Sequence, residues 1–251
     1  MKRQTILISL CILLNAVILQ AQKPAIKAED FIPPGTVKIS ANYFADKTEI
    51  SNFSWKQFVF DMKSANQNAY PDTLVWQTEE SLSNPYIHHY YQHQAYNEYP
   101  VVGITQAQAK AFCEWRSKKV MEYLNSEKAI NSKVFIPKSI QYRLPTANEW
   151  KTLADAGLNQ KVIAKNEGKK AFYNFNYSHA KDVTAPVESY FADINGIFNL
   201  WGNVAEWVAE TNIAVGGSWM QTQQSVFSNW THTATEAASW IGFRCVCEVE
   251  F

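Results

Sequence analysis

The strongest constraint on how this chain folds is one long helical period. From Thr105 to Leu124, the residues Ala109, Phe112, Cys113, Arg116, Val120 and Leu124 recur at helical spacing, and Thr105 stands where it can cap the first turn. This is the clearest helix in the chain. A shorter one is expected over Ser54 to Met62, and another from Thr146, where Glu149 three residues later completes a capping box and Trp150, Leu153 and Ala154 follow. Ahead of these, Val37, Ile39 and Ala41 alternate against Lys38 and Ser40, a strand pattern. Ala65 to Pro100 is polar and aromatic, holds Pro71 and Pro85 and sustains no period, so it reads as a structured loop pinned by its rings. From Lys161 onward, short strands and loops are punctuated by Gly196, Gly202, Gly216, Gly217 and Gly242. No internal repeat or flexible linker interrupts the chain, so one domain accounts for it.

Composition narrows the function. With 47% hydrophobic and 18% charged residues the chain can bury a core, and 14% aromatic residues favour rings packed among loops over an aliphatic bundle. Lys+Arg and Asp+Glu both number 23, so there is no basic field to attract nucleic acid or anionic lipid.

Residues 1–21 read as a secretory signal peptide: Met1, Lys2 and Arg3 give a positive start, Thr5 to Leu19 is nearly all apolar, and Ala21 offers a small residue at the cut. The apolar run is shorter than the ~18 to 20 residues that span a bilayer comfortably. The expectation is therefore an exported protein, periplasmic or associated with the cell envelope, comprising one domain over 22–251 with no stable membrane span after cleavage. Cys11 lies inside the apolar run behind Leu10, where lipoprotein processing wants a small residue, so lipidation is not expected. Cys113, Cys245 and Cys247 remain, and in an oxidising compartment the simplest arithmetic is one pair and one thiol. His88, His89 and His93 cluster in the aromatic stretch, with His89 and His93 at i, i+4. A non-haem iron site would want a further ligand close by, and loop-packing histidines are the preferred reading.

Several phrases in order exceed chance: Thr48 to Asn52; Tyr99 to Gly103 leading into Ala109 to Trp115; Tyr142 to Trp150 (Tyr-Arg-Leu-Pro-Thr-Ala-Asn-Glu-Trp); Asn199 to Trp207 (Asn-Leu-Trp-Gly-Asn-Val-Ala-Glu-Trp); Gly216 to Trp219; and Ile241 to Cys245. Together they resemble the sulfatase-modifying-factor, or formylglycine-generating-enzyme, family from roughly Phe31 to Val246. Within it, Pro71 to Trp76 and the Tyr96 to Gly103 neighbourhood are similar to the gliding-motility and type IX secretion lipoproteins of Bacteroidota, the GldK and GldJ type. This chain lacks their lipid-modified cysteine and is shorter.

The resemblance implies an α+β (mixed α/β) domain related to C-type lectins, with little regular secondary structure. It implies a disulfide between Cys113 and Cys245, and a calcium site using oxygens of Asn199, Gly202, Val204 and Glu206. A second family calcium site would fall near Asn176 and Tyr177, where His179 stands about where an aspartate should be, so it is not expected. Active members of the family carry two copper-binding cysteines shortly after the Gly-Gly-Ser phrase. Gln221 and Val226 occupy those positions here, and neither an amide nor an alkyl group holds Cu(I) as thiolates do, so copper is not expected. The implied function is a non-catalytic domain whose former substrate groove, lined by Trp207, Ser218, Trp219 and Gln221, binds an envelope protein, peptide or glycan. The alternative is a divergent oxidoreductase, either formylglycine-generating or using the histidine cluster for iron.

Overall fold

A computed structural model describes residues 27–64, 69–78, 83–157 and 183–251. The signal peptide at 1–21 lies outside the described residues, as do Asn176, Tyr177 and His179. Among the described residues, the strands are β1 (Thr36–Lys38), β2 (Tyr43–Asp46), β3 (Ser139–Arg143), β4 (Ala205–Trp207), β5 (Ile213–Val215), β6 (Thr231–Thr233), β7 (Ile241–Gly242) and β8 (Val246–Glu250). The α-helices are α1 (Asn52–Ser64), α2 (Ser83–His89), α3 (Gln106–Leu124), α4 (Glu127–Asn131), α5 (Ala147–Gly157) and α6 (Gln223–Ser228). Among the described residues, short strands, six α-helices and long connections make the expected α+β fold.

Two four-stranded sheets organise it. The first runs β1-β2-β8-β3 and is antiparallel throughout, so the last strand of the chain joins the N-terminal hairpin to β3. On β8, Val246, Cys247 and Val249 are buried while Glu248 and Glu250 are exposed; Cys247 faces Phe44 on one side and Tyr142 on the other. The second sheet runs β6-β5-β4-β7, antiparallel except for the parallel β4–β7 pair.

The long helix forms where its period and cap predict. Thr105 Oγ1 accepts from the Gln108 N–H, and the Gln108 side chain accepts from the Thr105 N–H, closing a capping box. Thr146 and Glu149 make the same reciprocal pair ahead of α5. The buried face of α3 puts Phe112 against Trp55 of α1, the rings stacked with centroids 5.4 Å apart, and Phe243 meets both edge-on. Such ring pairs add to the large apolar area that each aromatic side chain buries.

The stretch from 65 to 100 departs from the loop expectation. It holds a 3₁₀ turn at Thr73–Thr78, helix α2 and a second 3₁₀ turn at Gln94–Tyr96. Pro85 falls in the first turn of α2, where a missing N–H costs nothing, so it does not break the helix. The pinning by rings is real: Trp76 meets Tyr90 at 4.8 Å, Tyr96 meets Tyr99 at 5.1 Å, and Tyr90 Oη donates to the Pro100 carbonyl at 2.7 Å. No described helix is long and apolar enough to cross a membrane.

Candidate functional site

The loop after Gly216-Gly217 is closed by packing. Val226, on the buried side of α6, is fully covered. Gly217 has φ +73, and a Cβ built on it would lie 2.2 Å from Val226 Cγ2, so the valine methyls occupy the space a side chain would need. Gln221 is turned to local use, its Oε1 accepting from the Ser218 N–H at 2.7 Å and from the Ser218 hydroxyl.

The groove expected from Trp207, Ser218, Trp219 and Gln221 does not form as one surface. Trp207 is 1% exposed and donates its indole N–H to the Ile104 carbonyl, and Ser218 is wholly buried. The reason is position: Trp207 ends a strand flanked on both sides within the second sheet, and every residue of that strand is buried. Trp219 is half-buried and stacks over Trp76 at 6.2 Å. Two cavities, of about 700 and 590 Å³, lie elsewhere, and none of these four residues lines either.

The residues marked for calcium are engaged with one another and with a guanidinium. Glu206, at the centre of β4, takes Arg244 Nε on both carboxylate oxygens at 2.9 and 2.8 Å, Arg244 Nη2 at 2.6 Å, and the Trp150 indole N–H at 2.8 Å; both charged side chains are fully buried. Asn199 donates through Nδ2 to the Val187 carbonyl at 3.1 Å and to Glu49 at 3.3 Å. Gly202 sits at φ +82 in the turn between them, and Val204 is buried. A carboxylate already neutralised by an arginine and saturated with donors does not fit a dication.

Two acidic residues absent from the expected site stand out. Asp46, 2% exposed, receives Arg116 Nη1 and the Cys245 N–H on Oδ2, both at 2.8 Å, while its Oδ1 finds no donor among the described residues. Glu49, 1% exposed, accepts from Asn203 Nδ2 at 2.8 Å and from Asn199. No cation pairs with Glu49 among the described residues. Burial lifts its carboxyl from 4.5 to about 8; Arg244 offsets part of the lift and Glu206 adds to it.

That shift has a sign. Between the unfolded value of 4.5 and the folded value of about 8, the native state holds a proton that the unfolded chain releases, so this residue makes the fold less stable as pH rises through that window. The slope it adds is at most about 1.4 kcal/mol per pH unit. Urea denaturation from pH 5 to 8 should show the decline in the native protein and a flatter profile in Glu49→Gln; equal profiles would place the proton elsewhere.

The sulfur atoms of Cys113 and Cys245 face each other at 3.4 Å as buried thiols, the pairing that the resemblance implied and within reach of oxidation. Cys247 is also buried, and burial pushes its thiol up to about 12. His89 and His93 lie on one helical turn with ring centroids 6.1 Å apart, and His88 is 6.5 Å from His89. His93 Nδ1 accepts from the Ala95 N–H, which in a neutral ring puts the proton on Nε2 and leaves no lone pair there for a metal. Among the described residues, no group of three His, Cys, Asp or Glu is placed to hold a metal ion.

Two curated relatives, both named "Inactive C-alpha-formylglycine-generating enzyme 2", from Bos taurus and Mus musculus, are each 25% identical over 179 residues, 59% of this chain. The match covers 50% and 49% of those relatives, so the chain spans about half of their length. Among solved structures, CarF superposes with a TM-score of 0.54 at 19% identity, covering 83% of this chain and 87% of that one. PvdO from Pseudomonas aeruginosa gives 0.51 at 17%, covering 82% and 80%. These two likenesses speak to the fold alone. The Sulfatase-modifying factor enzyme 1-like domain matches residues 14–249, and the chain belongs to that family.

Proposed function

We propose that this protein is an exported, non-catalytic member of its family, acting as a binding or structural domain of the cell envelope with an envelope protein, peptide or glycan as its partner. The observation that carries the reading is the state of the two positions where active members place their copper-binding cysteines. One is a glutamine capping its own loop, and the other is a valine sealed under Gly217. The name "inactive" borne by the curated relatives supports the same reading. A link to gliding or type IX secretion rests on the likeness at Pro71 to Trp76 and would be supported by co-purification with outer-membrane components. The fold supplies a rigid scaffold, and function on such a scaffold lives in its surface sites.

The test is direct. Purified protein supplied with Cu(I), oxygen and a cysteine-containing sulfatase peptide should yield no aldehyde detectable with a hydrazide reagent, under conditions where a copper-active family member converts the peptide. Aldehyde formed in proportion to enzyme would overturn the reading.

A further inference from the structure

The larger cleft, of about 700 Å³, lies between α1, the middle of α3 and the 3₁₀ turn at Gln94–Tyr96. On α1, Phe53, Lys56, Gln57 and Phe60 stand at i, i+3, i+4 and i+7, so the helix turns all four to one side. The walls are rings: Phe53 is 49% exposed and Phe60 74%, and Trp115 of α3 is half-buried beside them. Trp115 is fixed from behind, packing on Phe58 and Phe112 with centroids 5.5 and 5.2 Å away and donating its indole N–H to Asp61 Oδ2 at 2.9 Å. The Phe53 N–H donates to the Asn97 carbonyl at 2.9 Å, which ties the opposite wall to α1. The frame is held by the protein's own packing.

One charge in this lining is left over. Lys119 is shared between Asp61 and Glu122. Lys56 has no ion-pair partner among the described residues. Its Nζ donates to two neutral acceptors, Asn97 Oδ1 at 2.7 Å and the Gln92 carbonyl at 3.4 Å, so the third ammonium proton has no acceptor among the described residues. Burial lowers the pKa of this ammonium, and no carboxylate offsets the effect. Lys56 is thus a cation short of a counter-ion, set beside three rings and the exposed side-chain amides of Gln57 and Gln94. The complement is an anion carried on an apolar body. A free carboxyl-terminal residue has both on a single Cα, with a peptide group behind them for the amides. An internal aspartate or glutamate has no apolar group beside its carboxylate, a neutral sugar leaves the ammonium uncompensated, and a phosphate brings about two charges to one lysine.

We infer that this cleft captures the carboxyl terminus of a polypeptide that ends in an apolar residue, with Lys56 on the carboxylate and Phe53, Phe60 and Trp115 around the side chain. The inference rests on the reading of the protein as a binding domain and specifies the chemistry of what it binds. The entering carboxylate accepts a charge-assisted hydrogen bond from the third Lys56 N–H and supplies the counter-charge that the lining lacks.

The experiment titrates the whole protein with acetyl-Gly-Gly-Phe bearing a free carboxylate, with the same peptide as its carboxamide, and with acetyl-Gly-Gly-Gly as the free acid. The reporter is the indole N–H resonance of Trp115, which lines the cleft. Saturable shifts are expected with the phenylalanine acid, and binding at least about tenfold weaker for the carboxamide and for the glycine acid. Lys56→Met keeps a stem of similar length on a half-buried surface position; it should weaken binding of the acid about tenfold and erase its advantage over the carboxamide. Lys56→Arg should keep that advantage, which a merely structural role for Lys56 would not require. Four results would each overturn the proposal: no saturable shift at millimolar peptide, equal binding of acid and carboxamide, an unaltered affinity in Lys56→Met, or tighter binding of maltotriose or decanoate than of the peptide acid. The last would assign the cleft to a neutral glycan or a free apolar acid. None of these outcomes bears on aldehyde formation, so the two readings fail separately.

Discussion

Arg244→Met should cost about 3 to 5 kcal/mol of folding free energy, because it leaves the fully buried Glu206 carboxylate without its cation. Glu206→Leu should cost a similar amount by stranding the guanidinium and the Trp150 indole N–H. The double variant should recover much of the loss, since two apolar side chains of similar volume satisfy a buried site that one lone charge cannot. Urea denaturation of the three variants closes the cycle. A calcium ligand at position 206 would behave differently: removing Arg244 would then relieve competition, and stability would rise with added calcium and fall in chelator. On the geometry described, stability should be the same in calcium and in chelator, and a loss below about 1 kcal/mol for Arg244→Met would sink the ion-pair account.

Oxidation of Cys113 and Cys245 is the other large effect. The pair is separated by 132 positions in sequence, and closing so long a loop stabilises by about 5 kcal/mol in the chain-entropy treatment, less any strain. Timing matters as much as size. Burial raises the Cys245 thiol well above its ordinary range, and both sulfurs are buried away from solvent, so the folded, reduced protein gives a redox buffer little access to start the exchange. Refolding in a glutathione redox buffer should therefore form the bond readily, whereas adding the same buffer to folded, reduced protein should form it slowly. Peptide mapping after alkylation in denaturant should find Cys247 labelled and Cys113 and Cys245 protected. Labelling of all three after oxidative refolding would rule the pair out.

Much of the architecture was legible beforehand because it rests on local rules. Thr105 with Gln108 and Thr146 with Glu149 are capping boxes written in consecutive residues, and each helix starts where its box says. The order of phrases from Thr48 to Cys245 carried the family and with it the α+β domain. What the sequence hid was decided by tertiary packing. Trp207 and Ser218 read as groove residues because tryptophan and serine serve equally well at a surface or in a core; the pairing of β4 on both sides buries Trp207, and Ser218 is buried in the loop that follows β5. Helix α2 is hard to read from the sequence because Pro85 lies inside it, in the one turn that tolerates proline. Asp46 and Glu49 were missed because an Asp-Lys-Thr-Glu run reads as solvent-facing loop. One signal did exist: Arg116 recurs on the apolar stripe of α3, and an arginine on a buried helical face demands a carboxylate from another part of the chain.

Under the proposed non-catalytic reading, the sealed contact between Val226 and Gly217 bears on whether copper chemistry could arise at these positions. Counting codons, two substitutions would restore a cysteine pair at 221 and 226. A thiol at 226, however, would inherit a site with no solvent exposure, pressed against a left-handed glycine whose missing side chain makes room for it. Such a sulfur could meet neither copper nor oxygen until α6 moved away from the loop. In the non-catalytic reading the protein has passed a one-way gate: packing, once tightened over the vacated position, makes reversion a matter of refolding a helix rather than of changing two residues.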